Sequence, residues 1–132
     1  MNNEDEVRLV VPATPEFLRL ARVTASGLAS RLGFSFDEVE DLRLAIDELC
    51  FMLIGSKGRA GTVHLRYATV SGGLEVAGVG SFTDDGIRHP LTPFSEQILS
   101  ALVDEYSVDD DGEGRPGFRL RKQRHGKPAS AS

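Results

Sequence analysis

The chain has 132 residues, of which 40% are hydrophobic and 27% are charged, and these values are typical of one globular domain. Its formal net charge of -5 argues against a nucleic-acid partner, and no apolar run approaches the roughly 20 residues that a membrane span needs. The polar, acidic start is not a signal peptide and the single cysteine cannot form an internal disulfide, so we expect a cytoplasmic protein.

The chain begins with a predicted strand and helix. Glu6 to Val11 alternates apolar and polar residues, which predicts a strand that Pro12 ends. Thr14 and Pro15 then mark a helix start, with a capping hydroxyl followed by a proline. The buried face of this helix is predicted to carry mainly large apolar side chains: Phe17, Leu20, Ala21, Leu28 and Leu32.

The second predicted helix, from Phe34 to Ile54, is the most strongly marked element. Ser35 can cap it while Glu38 reaches back to the Ser35 N–H, which is the pattern of a capping box. Gly55 is a natural stop, and Cys50 is interpreted as a small core residue within an apolar stretch. One face of the helix carries Val39, Leu42, Ile46, Leu49 and Leu53.

Asp47 and Glu48 on this helix are the pair of carboxylates that is a candidate for a catalytic role. Adjacent helical residues diverge by about 100°, so the two side chains cannot both face the core. Glu48 is the stronger candidate because apolar residues surround it in the sequence. On spacing alone, a solvated stripe shared with Asp41 and Arg43 is favoured, since most helical acids are exposed.

The second half of the chain predicts a hairpin, a helix and a last strand. Residues 62–70 and 74–79 alternate as two strands around a glycine-rich turn. A hydroxyl and a proline start a third helix, predicted over residues 94–106, with a short strand at 106–108 as an alternative at its end. The last strand is predicted over residues 117–123.

This order of elements predicts an α+β fold, a two-layer sandwich in which a mostly antiparallel sheet carries about three helices on one face. We expect one domain over residues 6–124, with disordered segments at residues 1–5 and 125–132. The charges between Arg119 and Arg124 are predicted to line the solvent face, and this stretch is too short to indicate nucleic-acid binding.

Other candidate sites have weaker signals. The histidines, His64, His89 and His125, are scattered along the chain and do not have the spacing of metal ligands. Gly78 and Gly80 follow a predicted strand and form a candidate phosphate loop, because glycine lets backbone N–H groups approach a ligand. An ordinary strand end is the favoured interpretation of these two glycines.

The segment from Glu40 to Cys50, together with the order of elements, resembles the signature helix of bacterial anti-sigma-factor serine kinases, which belong to the histidine-kinase-like (GHKL, or Bergerat) ATPase superfamily. The resemblance covers about residues 6–123. It implies an α/β sandwich that binds a sigma factor and an anti-sigma-factor antagonist, forms a homodimer, and phosphorylates the antagonist on serine with ATP and magnesium. It places Glu48 as catalytic base, and a carboxylate suits that role chemically. Glu48, Gly78 and Gly80 are the candidate cofactor-binding residues.

Three departures from the family pattern argue against ATP and magnesium. The family's magnesium-binding asparagine falls on Met52, and a thioether is a poor ligand for a hard cation, so no metal ligand is assigned. The adenine-reading aspartate falls near Gly78, although Asp84 and Asp85 offer an offset alignment. The glycine-rich lid is replaced by residues 93–97.

The leading hypothesis is therefore a divergent anti-sigma-factor-type regulator with weak or no kinase activity. Arg19 and Arg22 on the first helix are candidate contacts for an acidic partner, although a solvated helix face is favoured for both. One alternative is an active ATP-dependent serine/threonine kinase that uses Glu48 as base. Another is a scaffold or small-molecule-binding domain that keeps only the fold.

Overall fold

The computed structural model describes residues 5–84, 91–110 and 112–124. Its strands are β1 (Glu6–Pro12), β2 (Gly61–Val70), β3 (Gly73–Phe82), β4 (Glu105–Asp110) and β5 (Pro116–Gln123). Its helices are α1 (Pro15–Arg31), α2 (Phe36–Ile54) and α3 (Pro93–Leu102). The two segments predicted to be disordered lie, apart from residue 5, outside the described residues.

The five strands form one antiparallel sheet in the order β1-β2-β3-β5-β4. Strands β2 and β3 form the predicted hairpin, in which Val70 pairs with Gly73 across a two-residue turn. Strands β1 and β4 are the edges of the sheet. The predicted α+β sandwich with an antiparallel sheet is confirmed.

The hydrophobic core lies between the sheet and the helices, and α2 and the central strands supply most of it. The Tyr67 hydroxyl donates to the Ala21 carbonyl oxygen at 3.0 Å, so the polar atom of this buried side chain is satisfied and β2 is tied to α1. Burial raises the pKa of Tyr67 above its ordinary value. The largest fully buried side chains are Tyr67, Leu42, Ile46, Leu49, Leu53, Leu65, Leu74, Leu99, Leu120, Val63 and Val76.

The buried face of α1 agrees only in part with the prediction: Ala21 is buried, and Leu28 and Leu32 pack partly buried against the core. Phe17 and Leu20 are 42% and 45% exposed, so placing them in the core was wrong. Short side chains face inward instead, because they let the helix backbone pack closely on its neighbours. Thr14 precedes the helix as predicted, but its hydroxyl is buried and makes no cap hydrogen bond. The buried residues of α1 are Leu18, Ala21, Ala25 and Ala29.

Two element boundaries in the second half also differ from the prediction. Helix α3 ends at Leu102, and Tyr106 belongs to the edge strand β4, so the alternative of a short strand was the better one. Strand β3 does not end at Val79 but continues through Gly80 to Phe82. Pairing with β2 keeps it extended, since Gly80 lies opposite Val63 in the register.

Lys122 was predicted to line the solvent face with its charged neighbours, and this was wrong. Its side chain is 8% exposed and its Nζ lies 3.7 Å from an Asp41 carboxylate oxygen on α2. Nζ also donates to the Leu102 carbonyl oxygen at 2.7 Å, where the end of α3 presents free carbonyls. The lysine therefore joins β5 to α2 and to the last turn of α3.

The capping box at the start of α2 is confirmed. The Ser35 hydroxyl accepts from the Glu38 N–H at 3.1 Å, and the Ser35 N–H donates to a Glu38 carboxylate oxygen at 2.8 Å. Two backbone donors that the helix leaves unpaired are satisfied by these bonds, which fixes where α2 begins.

We expect Ser35→Ala to lower the free energy of unfolding by about 1 kcal/mol, because the Glu38 N–H loses its acceptor. Urea denaturation of the intact chain measures this as a lower midpoint with an unchanged slope. Ser100→Ala, at an exposed position on α3, is the matched control and should stay within about 0.5 kcal/mol of the parent. Equal midpoints for the two variants would contradict the prediction.

Candidate functional site

The two adjacent acids of α2 point to two different helices. The Asp47 carboxylate oxygens each accept from Arg22 Nη1 of α1 at 3.0 Å. The Glu48 Oε2 accepts from the Ser95 hydroxyl of α3 at 2.7 Å. Glu48 is half-buried and the Asp47 side chain is 45% exposed, so both acids keep some contact with solvent and each also bonds a neighbouring helix. They link α2 to its neighbours on either side.

Ser95 reaches Glu48 from the first turn of α3. The Thr92 hydroxyl oxygen caps this helix by accepting from the Ser95 N–H at 3.0 Å. The Thr92 and Ser95 hydroxyls lie 3.1 Å apart, in a chain of hydrogen bonds that ends on the Glu48 carboxylate. A carboxylate beside the N-terminus of a helix is also favoured by the helix dipole. Glu48 is therefore held by the start of α3.

Met52 lies one turn after Glu48, at the position where the family resemblance implies a magnesium ligand. Its side chain is 7% exposed and belongs to the hydrophobic core. Phe51, which precedes Met52 in the sequence, faces solvent and is 52% exposed. Magnesium prefers carboxylate, carbonyl and water oxygens, so a buried thioether does not fit it. Within residues 5–84, 91–110 and 112–124, no group of three His, Cys, Asp or Glu side chains is placed to hold a metal.

Gly78 and Gly80 lie inside β3, on its buried side. A Cβ atom on Gly78 would come within 2.6 Å of the Phe118 ring, and one on Gly80 would collide with the Phe82 ring. The missing side chains thus leave room for two aromatic rings of the same chain. A role for either glycine in holding a cofactor stays a prediction.

Asp84, the described residue of the offset alignment, is bound by an arginine. Arg59 Nε and Nη2 donate to one Asp84 carboxylate oxygen at 3.1 and 2.7 Å. The same guanidinium lies 3.9 Å from the centroid of the Phe82 ring, which is cation–π geometry. The contact holds Arg59 against the residues that end and follow β3. Asp85 lies outside the described residues.

The two candidate partner contacts on α1 have different surroundings. The Arg22 side chain is 30% exposed and forms an ion pair with Asp47, whereas Arg19 is exposed.

The histidines do not form a cluster in the described part of the chain. His64 is exposed on the sheet, with its Nε2 atom 3.3 Å from the Thr62 hydroxyl oxygen, and His89 and His125 fall outside the described residues. Ser95 was missed by the sequence analysis, because nothing local marks a contact across 47 positions.

Cys50 is buried, as predicted. Its side chain is 3% exposed, and burial, with a smaller effect of the nearby Asp47 charge, raises the pKa of the thiol to about 12. A thiol with this pKa is almost entirely protonated at neutral pH, so it is a core residue and not a nucleophile.

Comparison with known proteins finds relatives that match most of this chain. No protein-family model matches the chain. It is 34% identical over 122 residues to the serine-protein kinase RsbW of Bacillus subtilis, a stretch that covers 90% of this chain and 73% of that protein. RsbW of Bacillus velezensis is 32% identical over 88% of this chain and 71% of the relative. RsbW of Bacillus licheniformis is 33% identical, again over 88% of this chain and 71% of the relative.

None of the described helices is both long and apolar enough to cross a membrane.

The pKa of Cys50 predicts a loss of stability at alkaline pH. The thiol pKa is raised from 9.0 to about 12 on folding, so the unfolded chain releases a proton that the folded chain keeps. This contribution to stability is present below pH 9 and is lost as pH rises toward 12. Urea unfolding between pH 8 and 10 should show a smaller decline for Cys50→Ala than for the parent. Parallel declines would contradict the assignment.

Proposed function

Because the chain belongs to the family of the serine-protein kinase RsbW, we propose that it is an anti-sigma-factor-type regulator that binds a sigma factor, an anti-sigma-factor antagonist or both. We further propose that its kinase activity is weak or absent. The observation that carries this second proposal is the burial of Met52 in the core, one turn after the Glu48 carboxylate.

The metal argument rests on what phosphoryl transfer needs. Magnesium neutralises the charge that develops on the transferred phosphoryl group and orients the nucleotide. Met52 offers a weakly binding sulfur in place of an amide oxygen, and its side chain would have to leave the core before it met an ion. The residues beside Glu48 therefore do not fit a magnesium-bound triphosphate.

The strand glycines support the same proposal. A nucleotide that approached the backbone at Gly78 would meet the Phe118 ring, and at Gly80 it would meet the Phe82 ring. Displacing either ring removes buried aromatic surface from the core or from the contact with Arg59. Binding a nucleotide at these glycines thus costs the free energy of displacing an aromatic ring, which binding at an open glycine loop would not.

One observation favours an active kinase as a second candidate. Glu48 accepts a hydrogen bond from a serine hydroxyl at 2.7 Å, which is the contact that a catalytic base makes with its substrate hydroxyl. In this candidate Glu48 is the base, and ATP and magnesium are held by groups other than Met52.

The exposed side of α1 is the proposed partner surface. Phe17, Leu20 and Val23 recur at three-residue steps and are 42%, 45% and 59% exposed. Arg19 is exposed on the same helix, and apolar area with a neighbouring charge is typical of protein interfaces. Arg19 is therefore the better of the two candidate arginines, because Arg22 is engaged by Asp47.

A homodimer, which the resemblance implies, and a cytoplasmic location, which the sequence predicts, are two further expectations. Light scattering coupled to size-exclusion chromatography measures the first, since a dimer has twice the mass of the 14.3 kDa chain. A constant mass of one chain over the working concentration range would rule the dimer out.

The partner proposal is tested by affinity capture from the native host followed by mass spectrometry. We expect recovery of a sigma factor or of an anti-sigma-factor antagonist, confirmed by binding of the purified pair. Recovery of neither would contradict the proposal and favour a scaffold or small-molecule-binding domain.

A fluorescent ATP analogue tests the proposal about kinase activity. We expect no magnesium-dependent binding in the micromolar range, because Met52 replaces an oxygen ligand. Glu48→Gln is the control for any residual phosphate transfer to a captured antagonist. Micromolar, magnesium-dependent binding together with transfer that Glu48→Gln abolishes would establish the second candidate instead.

We expect Arg19→Glu to weaken binding of the captured partner by about tenfold, because it reverses an exposed charge beside the apolar stripe of α1. Lys57→Glu makes the same charge change at an exposed loop position and serves as the matched control. Titration calorimetry measures both, and urea unfolding checks that stability is unchanged. An equal effect of the two variants would show that net charge alone matters.

A further inference from the structure

Helix α3 is a short element that depends on contacts at its two ends. It has 10 residues, and an isolated helix of this length is not stable in water. Leu99 is its fully buried residue and Leu102 packs partly buried against the core, so few apolar side chains hold the helix. Its start is held by the bond from Ser95 to Glu48, and its end by the bond from Lys122 to Leu102.

We propose that Ser95 occupies the place of a partner's serine or threonine hydroxyl at Glu48, so that α3 covers this carboxylate and a partner must displace it. The inference rests on the proposed function, because it specifies how a partner reaches Glu48. It goes beyond that function by making α3 an internal competitor for the same contact.

The chemistry of the contact supports the proposal. An ionised carboxylate is an acceptor without donors, and a hydroxyl is the donor that Ser95 presents to it at 2.7 Å. Among the described residues, Ser95 is the hydrogen-bond partner of Glu48. The first turn of α3 therefore fills the space beside Oε2 that an incoming hydroxyl would need.

The surface around this contact has the composition of a docking site. Leu44 and Phe51 lie one turn before and one turn after Glu48 on α2, and they are 53% and 52% exposed. Phe94 precedes Ser95 on α3 and is 69% exposed. Large exposed apolar side chains on both sides of the contact supply the contiguous apolar area that is typical of a protein interface.

The charges near the contact are mostly neutralised within the chain. Asp47 is bonded to Arg22, and Arg43 is bonded to Glu40 at 2.7 Å. Glu48 is bonded to a neutral hydroxyl instead, and in the described part of the chain no ion pair balances its charge. A neutral serine or threonine side chain on the partner can thus replace Ser95 without a change of charge.

Hydrogen–deuterium exchange of the intact chain tests the internal contact. Ser95→Ala removes the hydroxyl, and we expect amides of residues 97–102 to exchange about five to ten times faster, because a bond to a charged group is lost. Ser100→Ala lies on the same helix at an exposed position and should leave the exchange unchanged. Ser95→Thr keeps the hydroxyl and should restore slow exchange. Equal exchange in Ser95→Ala and Ser100→Ala would overturn the proposal, whatever the partner experiments show.

The competition is tested with the partner recovered by affinity capture. We expect Ser95→Ala to bind it several-fold more tightly than the parent, and partner addition to speed exchange of residues 97–102 in the parent. Unchanged or weaker binding by Ser95→Ala would overturn the competition while leaving the regulator proposal intact. Failure to capture any partner would count against the regulator proposal, and the exchange experiment would still decide whether Ser95 holds α3.

Discussion

The burial of α2 on several sides is the constraint on which the other contacts depend. The helix contributes Leu42, Ile46, Leu49 and Leu53 to the core, and its neighbours α1 and α3 flank it. Little of its circumference is left for polar residues. The adjacent acids Asp47 and Glu48 diverge by about 100° around the axis, so one bonds α1 and the other bonds α3. One pair of neighbouring residues thereby sets the positions of two helices.

Local features of this fold could be predicted from the sequence, because their partners lie within a few residues. The capping box of Ser35 and Glu38 spans three positions, and the β2–β3 turn is set by glycines between alternating strands. The order of these elements, with the Glu40–Cys50 segment, was enough to predict the sandwich and the family resemblance. Each of these signals is complete within its own segment.

Features that depend on tertiary packing could not be predicted in the same way. Periodicity placed Phe17 and Leu20 in the core, whereas the structure buries Leu18 and Ala25 on α1 and leaves the two larger side chains exposed. Lys122 was expected in solvent because its neighbours are charged, yet the end of α3 supplies a carbonyl acceptor. The Ser95 contact to Glu48 joins residues 47 positions apart, and only the folded arrangement brings them together.

The two edges of the sheet differ in how they would meet a second chain. On β4, Glu105 and Asp109 are exposed, so antiparallel self-pairing would place like charges opposite each other and repel. On β1, Val7 and Val10 are 38% and 55% exposed around a single arginine, Arg8. Unwanted strand addition, and with it aggregation from concentrated solution, should therefore nucleate at the N-terminal edge and not at the acidic one.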